Sequence, residues 1–165
     1  MFVALAAALI VLAIVAFAFT QDRRRGQAFL SLGLGLGLRY ERWAKGLAEE
    51  LKALPGLKAT QGRHVFAHVL RSPDEVLADW RHQARPKERP RRVTQTLFAV
   101  RTAGAVLEER VEIFEDPRPS GFGQVTIESG AEWIACYVRN HRIPEGRLAE
   151  FREAARGWID ARLAE

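Results

Sequence analysis

The sequence predicts an α+β domain behind a membrane helix, and three observations lead there. The first twenty residues are apolar with no charged side chain, the C-terminal stretch has the hydrophobic spacing of a helix, and clustered β-rich segments lie between. The expected architecture is one N-terminal transmembrane helix followed by a small domain. In that domain an antiparallel sheet of four to five strands packs against about three helices. The boundaries read as an anchor over 1–20, a basic and Gly/Leu-rich juxtamembrane connector over 21–38, and a soluble domain over 39–165.

Residues 1–20, MFVALAAALIVLAIVAFAFT, reach about 30 Å as a helix, the thickness of a bilayer core. Ala16-Phe17-Ala18 would suit signal cleavage, but a signal peptide carries its positive charge before the apolar run. Here no Lys or Arg precedes it, and Arg23, Arg24 and Arg25 follow it, so a retained anchor is the expectation. Arginine flanking a span stays on the cytoplasmic side. The N-terminus is therefore expected outside an inner or plasma membrane and the domain in the cytoplasm.

The connector then alternates leucine and glycine through LGLGLGL. Gly33, Gly35 and Gly37 match neither G-x-G-x-x-G nor a Walker loop, which removes a nucleotide-cradle reading. Three glycines inside a helix would cost about 3 kcal/mol relative to alanine, so a flexible apolar elbow is expected.

From Tyr40 the apolar residues Trp43, Ala44, Leu47, Leu51 and Leu54 recur at helical spacing, and Pro55-Gly56 is expected to stop that helix. His64–Leu70 reads as a strand. Ser72-Pro73-Asp74-Glu75 has the form of a capping box, which predicts a helix ending near Ala84 and burying Val76, Leu77 and Trp80. Residues 81–92, RHQARPKERPRR, read as an exposed basic loop. VTQTLFAV and VLEERVEIFE are expected to form a hairpin through Gly104, with Leu107, Val111 and Ile113 on one side and Glu108, Arg110 and Glu112 on the other. DPRPSG is a turn, and FGQVTIES and EWIACYVRN are two more strands. From Pro144 an amphipathic helix carries Leu148, Phe151, Ala155, Trp158, Ile159 and Leu163 on one face.

Charge and composition restrict the function classes. The net charge of +5 divides unevenly, with 16 Lys and Arg against 8 Asp and Glu over residues 21–92, and 9 against 12 over 93–165. The basic half therefore adjoins the apolar segment, which suits an anionic membrane surface. The binding surface expected from composition is Arg85, Lys87, Arg89, Arg91 and Arg92 in the basic loop. Anionic lipid, nucleic acid or an acidic protein would fit it, although no aromatic residue interleaves with the arginines, which disfavours single-stranded nucleic acid.

No catalytic constellation is legible. His64 and His68 would sit about 13 Å apart on a strand, too far for one metal ion, and read as solvent-facing. Cys136, the only cysteine, lies in an apolar strand and reads as an inert buried thiol. The expectation is a non-enzymatic, cofactor-free accessory or scaffold protein whose cytosolic domain binds another protein at the membrane. A lipid- or nucleic-acid-binding module and a membrane-tethered enzyme are the alternatives.

Overall fold

Helix α1 (Phe2–Leu36) runs unbroken from the apolar N-terminus through the Gly/Leu segment. A computed structural model describes residues 2–60, 63–84, 91–103, 106–118 and 121–164. The two halves of α1 differ in surroundings. From Leu5 through Phe19 its large apolar side chains all face outward, and the helix is long and apolar enough to cross a membrane. From Asp22 onward a stripe at helical spacing, Asp22, Arg25, Gly26, Phe29 and Gly33, turns onto the domain, with Arg25 and Phe29 buried.

The expected elbow is thus a helix, and its glycines explain why. A Cβ on Gly33 would stand 2.5 Å from Leu70 Cδ2, and one on Gly26 would stand 2.9 Å from Tyr40 Oη. Both glycines let the helix approach the sheet closely, so packing offsets their poor helix propensity. Gly37, at φ +68°, ends the helix: Leu38 N–H donates to Gly33 C=O (2.9 Å), the bond of a Schellman cap.

Strand β1 (Arg39–Trp43) follows at once, where a helix from Tyr40 was expected. Only the short helices α2 (Leu47–Glu50) and α3 (Pro55–Ala59) occupy the rest of that segment. Pro55 opens α3 at its first turn instead of closing a longer helix. The expected strand at 64–70 is β2 (Val65–Arg71). The second expected helix is also overturned, because Glu75–Ala84 is strand β3. Ser72 Oγ does accept a bond from Asp74 N–H (3.3 Å), but Ser72 N–H donates to Glu75 C=O (2.9 Å), closing the β2–β3 hairpin. The capping-box residues therefore build a turn. From Glu75 to Trp80 both faces of β3 are buried, so its apolar run shows no alternation to betray a strand.

Five further elements follow: β4 (Arg91–Arg101), β5 (Leu107–Glu115), β6 (Gln124–Ala131), β7 (Trp133–Val138), and, after a 3-10 turn at Glu145–Arg147, helix α4 (Leu148–Leu163). The seven strands form one antiparallel sheet in the order β1-β2-β3-β4-β7-β6-β5. The expected β4–β5 hairpin does not form. β4 pairs with β3 and β7, and β5 pairs only with β6 at the sheet edge. The α+β class is as expected, but two of the expected helices are strand-bearing, which raises the strand count to seven.

Both faces of the sheet are covered. On the first, the second half of α1 and helix α4 pack Phe29, Phe151, Ala155 and Ile159 against Leu70, Leu77, Phe98 and Cys136. On the second, α2, α3 and the adjoining turns pack Leu47, Leu51, Leu54 and Leu57 against Phe66, Trp80, Leu97 and Tyr137.

A polar network fastens α1 to the first face. Arg25 Nε and Nη2 reach the two oxygens of Asp79 at 3.0 and 2.7 Å, and Nη2 also reaches Thr96 Oγ1 at 3.1 Å. Arg142 Nε donates to Asp79 from the other side (2.9 Å). One turn earlier on α1, the Asp22 carboxylate accepts from His68 Nε2 (2.9 Å), so Tyr40 O–H donates to Nδ1 (3.0 Å). Burial pushes the His68 pKa down and keeps the ring neutral. His68 reaches α1 because a bulge between Ala67 and Leu70 holds it at φ +48° and turns its side chain inward.

Candidate functional site

Short helices cover only part of the second sheet face. Beside α3 they leave a pocket of about 380 Å³ over β3, β7, β6 and β5. Its floor follows from strand register. On β6, Thr126 and Glu128 project to the same face. Thr126 lies opposite Tyr137 of β7 and Ile113 of β5, and Glu128 lies opposite Val111 of β5. Val111 and Ile113 are 50% and 52% exposed and make the apolar outer wall. The aromatic inner wall is Trp80, which meets Tyr137 edge-on at 5.6 Å and has the His82 ring 4.6 Å from its own.

Glu128 is the centre of the site. The residue is 1% exposed, and Oε2 accepts from Gly56 N–H at 2.6 Å and from Tyr137 O–H at 3.4 Å. Gly56 is required for this approach, since a Cβ there would come within 2.9 Å of both carboxylate oxygens and of Tyr137 Oη. Burial raises the Glu128 pKa to about 7, against the opposing pull of these two donors. The Tyr137 phenol is pushed up in turn, first by burial and then by the neighbouring carboxylate. Burial lowers the His82 pKa, with His64 adding to the shift.

Several buried side-chain polar atoms in the described residues lack a hydrogen bond. Those of Arg101, Glu112 and Arg142 lie within ion pairs. The residues that carry the other three, Glu128 (Oε1), Thr126 (Oγ1) and His82 (Nδ1), all line this one pocket. An unpaired buried polar group costs about 1–3 kcal/mol, so three at one place single this pocket out. The cavity at the edge of the first face, beside Leu107 and Arg110, has no such group, because its Glu112 pairs with Arg162.

The sequence points to other residues as a binding surface or flank. Arg85, Lys87 and Arg89 fall outside the described residues, and Arg91 and Arg92 belong to β4. Of the three juxtamembrane arginines, Arg23 and Arg24 are exposed, while Arg25 is buried against Asp79. His64 and His68 do not share a solvent face. His64 Nδ1 accepts from Trp80 Nε1 (3.0 Å) on the second face, and His68 is buried on the first. Val111 and Ile113 do share a side, but it is the open one, while Glu112 and Arg110 pair on the other. Cys136 is buried and its thiol pKa pushed well up, first by burial. No three His, Cys, Asp or Glu side chains among the described residues converge as metal ligands.

Sequence reasoning passed over Glu128, Thr126 and Tyr137. The one available signal was Glu128 directly after Val125-Thr126-Ile127, on the side that Val125 and Ile127 do not use. The chain matches no family model, no curated protein and no solved structure.

Proposed function

We propose that this chain is a single-pass membrane protein whose domain binds another protein through the Glu128 face of its sheet. One observation carries the reading. Half-exposed Val111 and Ile113 stand at a sheet edge, in front of a pocket where three buried polar atoms have no protein partner. Apolar wall and unsatisfied polar floor together have the composition of an interface that a partner completes. Retention of α1 as an anchor and a cytosolic domain are supported by the arginines that follow the apolar run. Docking of α1 onto the sheet through Arg25 and Phe29 would hold the binding face at a fixed attitude to the bilayer.

The test is affinity purification of the full chain from detergent-solubilised membranes in high salt, beside the double variant Val111→Asp/Ile113→Asp. A defined partner should co-purify with the parent chain and be lost from the variant. Recovery of the same proteins by both would end this reading.

A membrane-tethered enzyme is the second reading, favoured by the Glu128 carboxyl titrating at about 7, where general acid–base groups work best. It requires Glu128→Gln to abolish a turnover while leaving partner recovery intact.

A further inference from the structure

The pocket has a donor–acceptor balance that selects its ligand. Both Glu128 Oε1 and Thr126 Oγ1 can accept, and neither has a protein donor. Tyr137 Oη keeps a free lone pair, because its proton is directed at Glu128 Oε2. A group that supplies several donors and no acceptor satisfies this set, and a primary ammonium does so with three. A guanidinium fits less well. Its fork needs both carboxylate oxygens, and Oε2 already holds Gly56 N–H and Tyr137 O–H. Trp80 and Tyr137 lie buried beneath the pocket, and Val111 and Ile113 present an apolar slope from the rim to the floor.

We propose that the pocket receives the side chain of a lysine on the partner protein. Glu128 Oε1 and Thr126 Oγ1 are buried in the unbound chain, so the lining parts as the ammonium binds both, and the aliphatic stem lies along Val111 and Ile113. This deepens the reading of the Glu128 face as a partner surface and rests on it. Arg139, exposed at the rim, is the opposing charge and sets an upper limit on affinity. The other titratable groups around the site are Tyr137, His82 and, from α3, Lys58, which pairs with Glu109 of β5. His82 is neutral near pH 7, and Lys58 is already compensated.

The experiment titrates the full chain in detergent micelles with Nα-acetyl-lysine-N-methylamide and with its norleucine analogue, reading the Gly56 amide by NMR. The lysine probe should saturate the shift, and the norleucine probe should bind at least about tenfold more weakly, a difference of about 1.4 kcal/mol. Affinity should rise about fivefold from pH 6 to 7 and less than twofold from 7 to 8, as the carboxylate fills. Glu128→Gln should weaken binding by about tenfold or more, and Arg139→Gln should tighten it several-fold. Should Glu128→Gln fail to fold, Thr126→Val carries the same test with a several-fold loss. Equal binding of the two probes, or binding unaffected by Glu128→Gln and Thr126→Val, overturns the assignment. A free diamine such as cadaverine binding about tenfold tighter than the lysine probe also overturns it, in favour of a small-molecule amine. If amine binding fails while the partner is still lost from Val111→Asp/Ile113→Asp, only the lysine assignment falls.

Discussion

Glu128 shows how one buried carboxyl sets both a binding site and a stability cost. Its pKa rises from 4.5 in the unfolded chain to about 7 in the fold. The folded chain therefore binds the proton more tightly, and this stabilisation is fully present below pH 4.5 and lost as pH rises through about 7. The size is about 3 kcal/mol. His68 and His82 act in the opposite sense: their lowered values give stability above pH 6.5 that is lost as pH falls. Comparing the parent chain with Glu128→Gln cancels the histidines. In urea denaturation the variant should gain on the parent by up to about 3 kcal/mol from pH 5 to pH 8. A constant difference across that range would mean Glu128 is not buried as described.

At the scale of elements, α1 and its glycines make a paired prediction. Gly35 has open space where a Cβ would go, so Gly35→Ala should stabilise the fold by up to about 1 kcal/mol. Gly33→Ala meets Leu70 and the Leu38 carbonyl, and should destabilise it. Thermal unfolding of the two variants should shift in opposite directions. Asp79 gives the larger effect. It holds Arg25 and Arg142 together, so Asp79→Ala leaves buried guanidinium charge uncompensated and should cost about 3–5 kcal/mol in denaturation. If Asp79→Ala costs little, α1 is not fastened through Arg25.

The same elements show what sequence can carry. The C-terminal helix and the strands at 64–70 and 124–138 were legible, because the helix buries one side and the strands are bounded by turn residues. The strand at 75–84 was not. It is covered on both faces, and its entry turn uses the same Ser-Pro-Asp-Glu chemistry that opens helices. The buried stripe on α1 was hidden because it consists of Asp22, Arg25 and two glycines along with Phe29. The site was illegible for a further reason. Gly56 and Glu128 are 72 positions apart, and only the return of β6 beneath α3 brings them together.

At the scale of the whole molecule, a helix of about 52 Å joins an outward-facing apolar half to a domain-docked half. Orientation can be read with cysteine chemistry, since Cys136 is buried with its thiol pKa pushed well up and gives no background. A cysteine placed at exposed Glu153 on α4 should react with a membrane-impermeant maleimide only after cell lysis. Labelling of intact cells would put the domain outside.

The most direct test of the Glu128 face as a partner surface is site-specific photo-crosslinking in native membranes. A photoreactive residue at Ile113, on the open wall of the pocket, is compared with one at Arg39 on the far edge strand β1. The expected result is a discrete adduct from position 113 and none from position 39. No adduct at 113, or equal adducts at both edges, would contradict it.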